Sequence, residues 1–538
     1  MARMLPIGIQ SFEKLRRDDY VYVDKTEHVW RLASTTLPYF LARPRRFGKS
    51  LLVSTLRAYF EGKRDLFGGL AIERLEAEAA KAQGRDAWQA RPVFLLSFNG
   101  ADYTRADGLA GKLNELLRNL ERTWGDESAD LAPGGRLRRL LELAHEQSGH
   151  RVAVLVDEYD KPLLESLHDP ALEEANRAAL KGLFSVLKDA DEHLRFVLIT
   201  GVTKFSKVSI FSDINQLQDI SLDADFANAC GITESELVST FAPELDTMAR
   251  SLRVDVPACL DALRAQYDGY CFHPDGPEGI DGVHDTARMV YNPYSLLSAL
   301  AKHRLGSWWF ETGTPTFLVR RMREAGLDPK RLTDGTIYAT ERRLSDYRAD
   351  DPDPIPLLFQ AGYLTIRDYD PRFGEYVLAV PNNEVEWGLV ESLLPTWAPG
   401  YSAARGTDVF TLRRLVETGN TEGIRHVIAA LFASIPYTRE ADPFENYFQA
   451  VLWLTFTLLG RYVGCEVRQA TGRADVVVEA RAHVYVIEFK RGGTAAEAIA
   501  QIEEKGYAAP FEADPRELHL IGCAFDPKTR LLSEWEER

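Results

Sequence analysis

Two sets of residues in this chain have the types and spacing for phosphate chemistry. The first is Gly48-Lys49-Ser50, within LARPRRFGKSLLVSTL (41–56). A phosphate-binding turn needs backbone N–H groups pointing inward and a helix N-terminus behind them. Gly48 allows close backbone approach, Lys49 brings a point charge for the outer phosphates, and Ser50 brings a hydroxyl for Mg²⁺. The usual spacing G-x-x-x-x-G-K-[ST] puts a first glycine at position 43, where this chain has Arg43. Asp157 and Glu158 end the apolar run VAVLVDE. An Asp so placed can hold Mg²⁺, and a following Glu can orient or activate the attacking water. Thr200, closing LRFVLITG, and Lys204 beyond it are candidates for sensing a γ-phosphate; an ordinary turn is the alternative there.

The second set is Asp475, Glu488 and Lys490, in GRADVVVEARAHVYVIEFKRG (472–492). Glu488 and Lys490 are two apart on an apolar run, so on a strand both leave the same face. The midpoint of Asp475 and Glu488 falls in the polar EARAH stretch. A hairpin turning there sets the two carboxylates opposite each other, beside the Lys490 ammonium. Such a group can bind a hard cation through oxygen, activate water and stabilise charge on a phosphodiester. The competing reading is a surface hairpin with a salt bridge.

These residues need elements to hold them. LPYFLA, PVFLLSF, RVAVLVDE and LRFVLITG read as buried strands, with helical spacing in SLLVSTLRAYFEG, GKLNELLRNLERTW and EANRAALKGLFSVLKDA between them. That alternation predicts a parallel α/β sheet covered on both faces. The expected divisions are 1–222 for this sheet domain, 223–345 for a mostly helical lid, 346–400 for a small winged-helix-like linking module, and 401–538 for a second α/β domain. The middle module is read as a bridge in preference to a DNA-binding element.

Several long motifs then carry a resemblance. YVYVDKTEHVW, RPRRFGKSLL, VLVDEYDKPL and GVTKFSKVSIFSDINQLQDISL, continued by YDGYCF, YNPYSLL and WWFETGTPTFL, occur in order over roughly residues 5–320. The stretch resembles the AAA-ATPase-like domain of many bacterial proteins, a P-loop NTPase fold. That resemblance makes Arg43 a family trait. It implies a nucleotide-binding loop of Arg43, Pro44, Arg45, Arg46, Phe47, Gly48, Lys49, Ser50 and Leu51. Guanidinium groups of the Arg43-Pro44-Arg45-Arg46 turn would then replace some N–H contacts to phosphate. It further implies Mg²⁺ on Ser50 and Asp157, Glu158 as catalytic residue, Thr200 at the nucleotide, and Tyr22, Asp24 and Lys25 near its face.

Over about residues 405–538, the order of a helix bearing Glu445, Asp475 at a hairpin start, E-x-K, and a helix with Gln501 resembles the PD-(D/E)XK nuclease superfamily. The resemblance implies that Glu445, Asp475 and Glu488 approach a metal, Mg²⁺ or Mn²⁺, that Lys490 is catalytic, and that Gln501 supports the site. Ala474 stands where that pattern usually has proline.

Composition bounds what remains. A net charge of −16 over 538 residues opposes non-specific coating of nucleic acid by bulk electrostatics. The basic stretch RLRRLLEL (136–143) reads as a solvated helix face. Five cysteines are scattered without C-x-x-C, and eleven histidines show neither H-E-x-x-H nor metal-ligand spacing, so no zinc site is expected. The N-terminus shows no leader. The apolar run FQAVLWLTFTLLG (448–460) is too short to span a bilayer and reads as a buried helix. The expectation is a cytoplasmic protein whose ATP-binding module gates metal-dependent cleavage of nucleic acid, DNA in preference to RNA, with self-assembly open and no membrane partner. The alternative is a nucleotide-dependent switch whose C-terminal domain binds nucleic acid or a protein without cutting.

Overall fold

The structure, a computed structural model of the chain, describes all residues except 1–2, 126–129, 205–209, 212–213, 215, 278–285, 311–315, 334, 346–352, 399, 403–405, 435–442, 461–463, 468–474 and 530. Side chains are also not described at 286, 316–317, 443–449 and 464–467. The chain forms two compact units. One comprises Met1–Thr312 with Gly335–Glu384, the other Gly313–Asp334 with Val385–Arg538.

In the first unit, β1 (Pro38–Ala42), β2 (Val93–Ser97), β3 (Val152–Asp157), β4 (Leu194–Gly201) and β5 (Gln218–Asp219) form a parallel sheet in the order β2-β3-β4-β1-β5. Every residue of β1 and β3 is buried, which is why they read as unbroken apolar runs. Leu41 pairs with Thr200, and Ser97 with Asp157. The register therefore brings the phosphate-chemistry candidates to one edge, the C-terminal ends of the strands, where open α/β sheets bind ligands.

The helix Pro133–Ser148 contains the basic stretch, and its solvated reading needs correction. Arg136 is buried and holds both Glu121 carboxylate oxygens, at 2.7 and 2.9 Å. Arg138 and Arg139 do face outward, toward Glu142.

Beyond the sheet, the lid motifs build a small core of Ile232, Leu237, Phe241, Leu263, Tyr267 and Tyr291. Here β6 (Tyr270–Cys271) pairs with β7 (Met289–Val290). A three-stranded antiparallel sheet follows, ordered β8 (Ile337–Thr340), β10 (Glu375–Ala379), β9 (Thr365–Asp370). The 346–400 stretch contributes β9 and β10 to this sheet. Its sheet is completed by β8, from upstream of residue 346, and the division at residue 384 falls inside the helix Asn383–Trp397. Strand pairing decides this, because backbone ladders hold β8 to β10 whatever the intervening sequence.

The second unit carries β11 (Gly464–Val467), β12 (Val476–Glu479), β13 (His483–Arg491), β14 (Glu517–Phe525) and β15 (Leu532–Glu537), ordered as in sequence. β13 and β14 are parallel, and the helix Ala495–Glu504 lies between them in the chain. This helix starts at a Thr494–Glu497 capping box and buries Ile499 and Ile502 against Val486. The apolar run 448–460 lies in a helix, Pro443–Gly460, with Val451, Leu454 and Leu459 fully buried. Among the described residues, no helix is long and apolar enough to cross a membrane.

Candidate nucleotide and nuclease sites

The loop after β1 turns through Gly48, whose φ of +99° lies in the left-handed region and favours glycine. Nothing stands within 4 Å of where its Cβ would be, so the concave side of the turn is open. Lys49 begins the helix behind it. Its buried ammonium donates to the Arg43 and Pro44 carbonyls at 2.8 and 3.0 Å. Burial pushes the Lys49 pKa down, opposed by the charges of Asp160, Glu158 and Asp157. Ser50 Oγ donates to Asp157 Oδ2 at 2.7 Å, and Thr200 Oγ1 donates to Asp157 Oδ1 at 2.9 Å. Two oxygen ligands for a hard cation are thus already adjacent.

Glu158 follows with a φ of +56°, which is uncommon for a side chain larger than glycine's and typical of functional turns. Burial, then the Asp157 charge, raises its pKa. Both carboxylates stand near Lys49.

A cavity of about 500 Å³ opens over this edge, lined by Arg45 to Leu52, Tyr22, Lys25, Glu158 and Tyr294 among others. That is a suitable size for a nucleotide. The Arg46 guanidinium lies 4.7 Å from the Tyr294 ring centroid, a cation–π contact. Phe47 plugs inward against Tyr270 and Phe272, and its carbonyl accepts from Gly231 N at 3.1 Å. The YDGYCF motif therefore shapes the loop from behind.

Three expectations change here. Arg43 is 1% exposed and does not line the cavity. Its guanidinium donates to the carbonyls of Ala42, Ser221, Phe226 and Ala227, and lies 4.2 Å from the Phe272 ring centroid. It joins the loop to the segment after β5, which leaves Arg45 and Arg46 as the arginines of this turn on the cavity wall. Lys204 is buried in an ion pair with Asp219 and does not line the cavity, which leaves Thr200 as the polar group of β4 beside Asp157. Asp24 accepts from Thr26 N and Oγ1 and from Ala71 N, so it fixes local structure, while Tyr22 and Lys25 do reach the cavity wall. Lys25 is held by Glu236 at 2.6 Å.

Arg43→Met is expected to cost about 3 kcal/mol of stability, because several buried carbonyls lose their donors at once. Thermal unfolding with and without ATP checks this: melting should drop in both, with nucleotide affinity changed far less.

Two residues went unread in the sequence. Asp160, fully buried, accepts from Val202 N, Thr203 N and Thr203 Oγ1 at 3.0, 2.6 and 2.7 Å, fixing the turn after β4. Asn99, just beyond β2, accepts from Lys161 Nζ at 3.1 Å on the cavity wall. Each had a signal: Asp160 belongs to the same DEYDK run as Glu158, and Asn99 is a polar residue at a strand's C-terminal end.

In the second unit, β12 pairs with β13 so that Val476 faces Ile487, which sets Asp475 opposite Glu488. Each carboxylate accepts a backbone N–H from the opposite strand. Asp475 N donates to Glu488 Oε2 at 3.3 Å, and Phe489 N donates to Asp475 Oδ2 at 2.9 Å. Lys490 Nζ donates to Glu488 Oε1 at 3.1 Å and to Gln501 Oε1, and Gln501 Nε2 donates to Glu488 Oε1 at 2.6 Å. Gln501 comes from the helix Ala495–Glu504, so the helix after β13 meets its strand at the site.

Burial, then the Asp475 charge, raises the Glu488 pKa; burial also raises that of Asp475. A buried carboxylate, Glu488, and a half-buried one, Asp475, meet at one point, an oxygen pair that suits a hard divalent cation. Glu445 lies on the helix Pro443–Gly460, but its side chain is outside the described residues, as is Ala474.

The geometry agrees with what comparison with known proteins gives. Residues 6–211 match the AAA-ATPase-like family, described as predicted AAA-ATPase. Residues 443–535 match the PD-(D/E)XK nuclease superfamily. The chain is 38% identical over 540 residues, covering 98% of this chain and 97% of the other, to the "Uncharacterized protein in vnfD 5'region" of Azotobacter chroococcum mcd 1. This chain belongs to that protein's family and carries an AAA-ATPase-like domain and a PD-(D/E)XK nuclease superfamily domain. No solved structure matches it.

Proposed function

We propose that the first unit binds and hydrolyses ATP with Mg²⁺, and that this gates metal-dependent phosphodiester cleavage of nucleic acid, DNA before RNA, by the second. The observation that carries the nuclease half is the meeting of Asp475, Glu488 and Lys490 at one end of the β12–β13 hairpin. Asp475 and Glu488 hold the divalent ion, Mg²⁺ or Mn²⁺, which supplies charge neutralisation at the phosphodiester. Lys490, through its ammonium, orients the attacking water, and Gln501 orients Lys490 and Glu488. In the first unit, Lys49 meets the outer phosphates, Ser50 and Asp157 hold Mg²⁺, and Glu158 directs water at the γ-phosphate. The protein works in the cytoplasm in this reading.

The test is cleavage of mixed DNA and RNA with Mg²⁺ or Mn²⁺, with and without ATP. Wild type should cut, the double variant Glu488→Ala with Lys490→Ala should not, and Lys49→Ala should change the ATP response. If wild type hydrolyses ATP and cuts nothing, the nuclease half is wrong. The second reading is then a nucleotide-driven switch that binds its partner without cutting. The net charge of −16 favours that reading, since it opposes adhesion to a polyanion.

A further inference from the structure

A second group of ligating side chains lies on the same sheet, away from the carboxylate pair. His483 opens β13, and Glu517 and His519 open β14 in parallel register, with His483 opposite Glu517 and Tyr485 opposite His519. His483, Tyr485, Glu517 and His519 therefore share one face. Glu488 and Lys490 have the opposite parity and share the other face with the helix Ala495–Glu504. His483 and Glu488 are five residue steps apart on β13, about 16 Å along the strand.

Ligand atoms of His483, Glu517 and His519 all lie within 4.8 Å of one another. His483 Nδ1 is 3.1 Å from His519 Nε2 and 3.3 Å from Glu517 Oε2. Around an ion bound at 2.0–2.1 Å, a tetrahedron has edges of about 3.3 Å. The two spacings thus fit adjacent corners of one coordination sphere.

The proton inventory points the same way. His519 Nδ1 lies 2.9 Å from Glu537 Oε1, and only an N–H there makes a hydrogen bond to a carboxylate. In the neutral ring this leaves His519 Nε2 as a bare lone pair, aimed at His483 Nδ1. Glu517 brings a second acceptor to the same nitrogen. A lone His483 Nδ1–H cannot serve both acceptors well, whereas a cation takes all three as ligands.

The surroundings fix the rings. Glu537 is itself held by Thr421 Oγ1, which donates to Oε2 at 2.6 Å. A carboxylate behind the distal nitrogen of a histidine is the usual support of a metal-bound imidazole. Tyr485 stacks on His519, centroids 4.7 Å apart and planes at 11°. A Cβ on Gly419, whose φ is +67°, would sit 2.5 Å from His483 Cε1, so that loop presses on the second ring. His519 is buried, while the Glu517 side chain is 67% exposed, leaving a fourth position open to water.

We propose that His483, Glu517 and His519 form a site for a divalent transition ion of the zinc class, completed by water and backed by Glu537. Two neutral imidazoles and one carboxylate select Zn²⁺, Co²⁺ or Ni²⁺ over Mg²⁺ and Ca²⁺, which want oxygen alone. The ion ties the start of β13 to the starts of β14 and, through Glu537, to the end of β15. It is separate from the ion expected at Asp475 and Glu488 and does not depend on cleavage.

The full-length chain, stripped with chelator and then held in excess Mg²⁺, is titrated with Zn²⁺, and in parallel with Co²⁺. Wild type should bind one Zn²⁺ more per chain than either His483→Gln or Glu517→Gln. Its Co²⁺ form should show the visible absorption of a tetrahedral site, which both variants lack. Glu537→Gln should bind about 10–100-fold more weakly. The exposed side chain at Glu517 makes Glu517→Gln readable even if His483→Gln fails to fold. Equal Zn²⁺ stoichiometry and coincident Co²⁺ spectra in wild type and Glu517→Gln would overturn the proposal, leaving a hydrogen-bonded histidine pair.

Discussion

Lys490→Ala is expected to slow metal-dependent cleavage by about 10²–10³-fold, the range for removing one positioned charge-stabilising donor. ATP hydrolysis without nucleic acid should be unchanged, since Lys490 lies in the other unit. Lys490 is the cation hydrogen-bonded to Glu488, which is 3% exposed and carries a raised pKa beside Asp475. Without Lys490 the carboxylates hold their charges less readily and the attacking water loses its orienting ammonium.

The pH dependence follows in sign. Both carboxyls must be ionised to hold the metal, and both pKa values are raised, chiefly by burial. Cleavage should therefore rise with pH through a limb above the ordinary carboxylate range. Protonated carboxyls are favoured in the folded metal-free protein, so their contribution to stability is present at low pH and lost as pH rises through the raised values. Added Mg²⁺ should accordingly raise the melting temperature more on the alkaline side of that limb than on the acid side. A melting series across pH, with and without Mg²⁺, reads this directly. An Mg²⁺ effect that ignores pH would remove the carboxyl pair from the metal site.

Glu158→Gln is expected to keep ATP binding and to lower hydrolysis by about 10²–10⁴-fold. Gln preserves the shape of a side chain on a left-handed backbone but cannot accept a proton. Glu158 lines the cavity near Lys49, while Asp157 is the one bonded to Ser50 and Thr200. In the proposed function the two neighbouring acids divide the work, one toward Mg²⁺ and the other toward water. Because burial and Asp157 raise the Glu158 pKa, wild-type hydrolysis should climb with pH as that carboxyl ionises. Equilibrium binding of a fluorescent ATP analogue, alongside phosphate release, separates the two effects. Loss of binding equal to loss of hydrolysis would assign Glu158 to holding the nucleotide. The variant also tests the proposed gating. If it cuts nucleic acid with ATP present, ATP binding opens the nuclease; if it cuts only after restored turnover, hydrolysis does.

The sequence by itself determined both local chemistries, because each depends on neighbours along the chain. Gly48-Lys49-Ser50 forms a turn and helix start over consecutive residues, and E-x-K places its two side chains on one face by strand parity alone. The Asp475–Glu488 pairing was also legible, since a hairpin's register follows from where its polar turn lies. Buried parallel strands announced themselves as apolar runs, and with them the sheet edge that carries Asp157 and Thr200.

The tertiary structure decided whatever depends on partners distant in the chain. Arg43 looked like a phosphate ligand until the carbonyls of Ser221 and Phe226, nearly 180 residues on, closed around its guanidinium. Lys204 looked free to sense phosphate until β5 brought Asp219 to it. The sheet of β9 and β10 takes its third strand, β8, from upstream of residue 346, because a ladder between β8 and β10 ignores what the sequence between them looks like. The histidines showed no metal spacing because His483 and His519 are 36 residues apart, and only the parallel pairing of β13 with β14 makes them neighbours. Hairpin and helix contacts are written in spacing; parallel register is not, since the crossover between two parallel strands leaves no periodicity that names the partner.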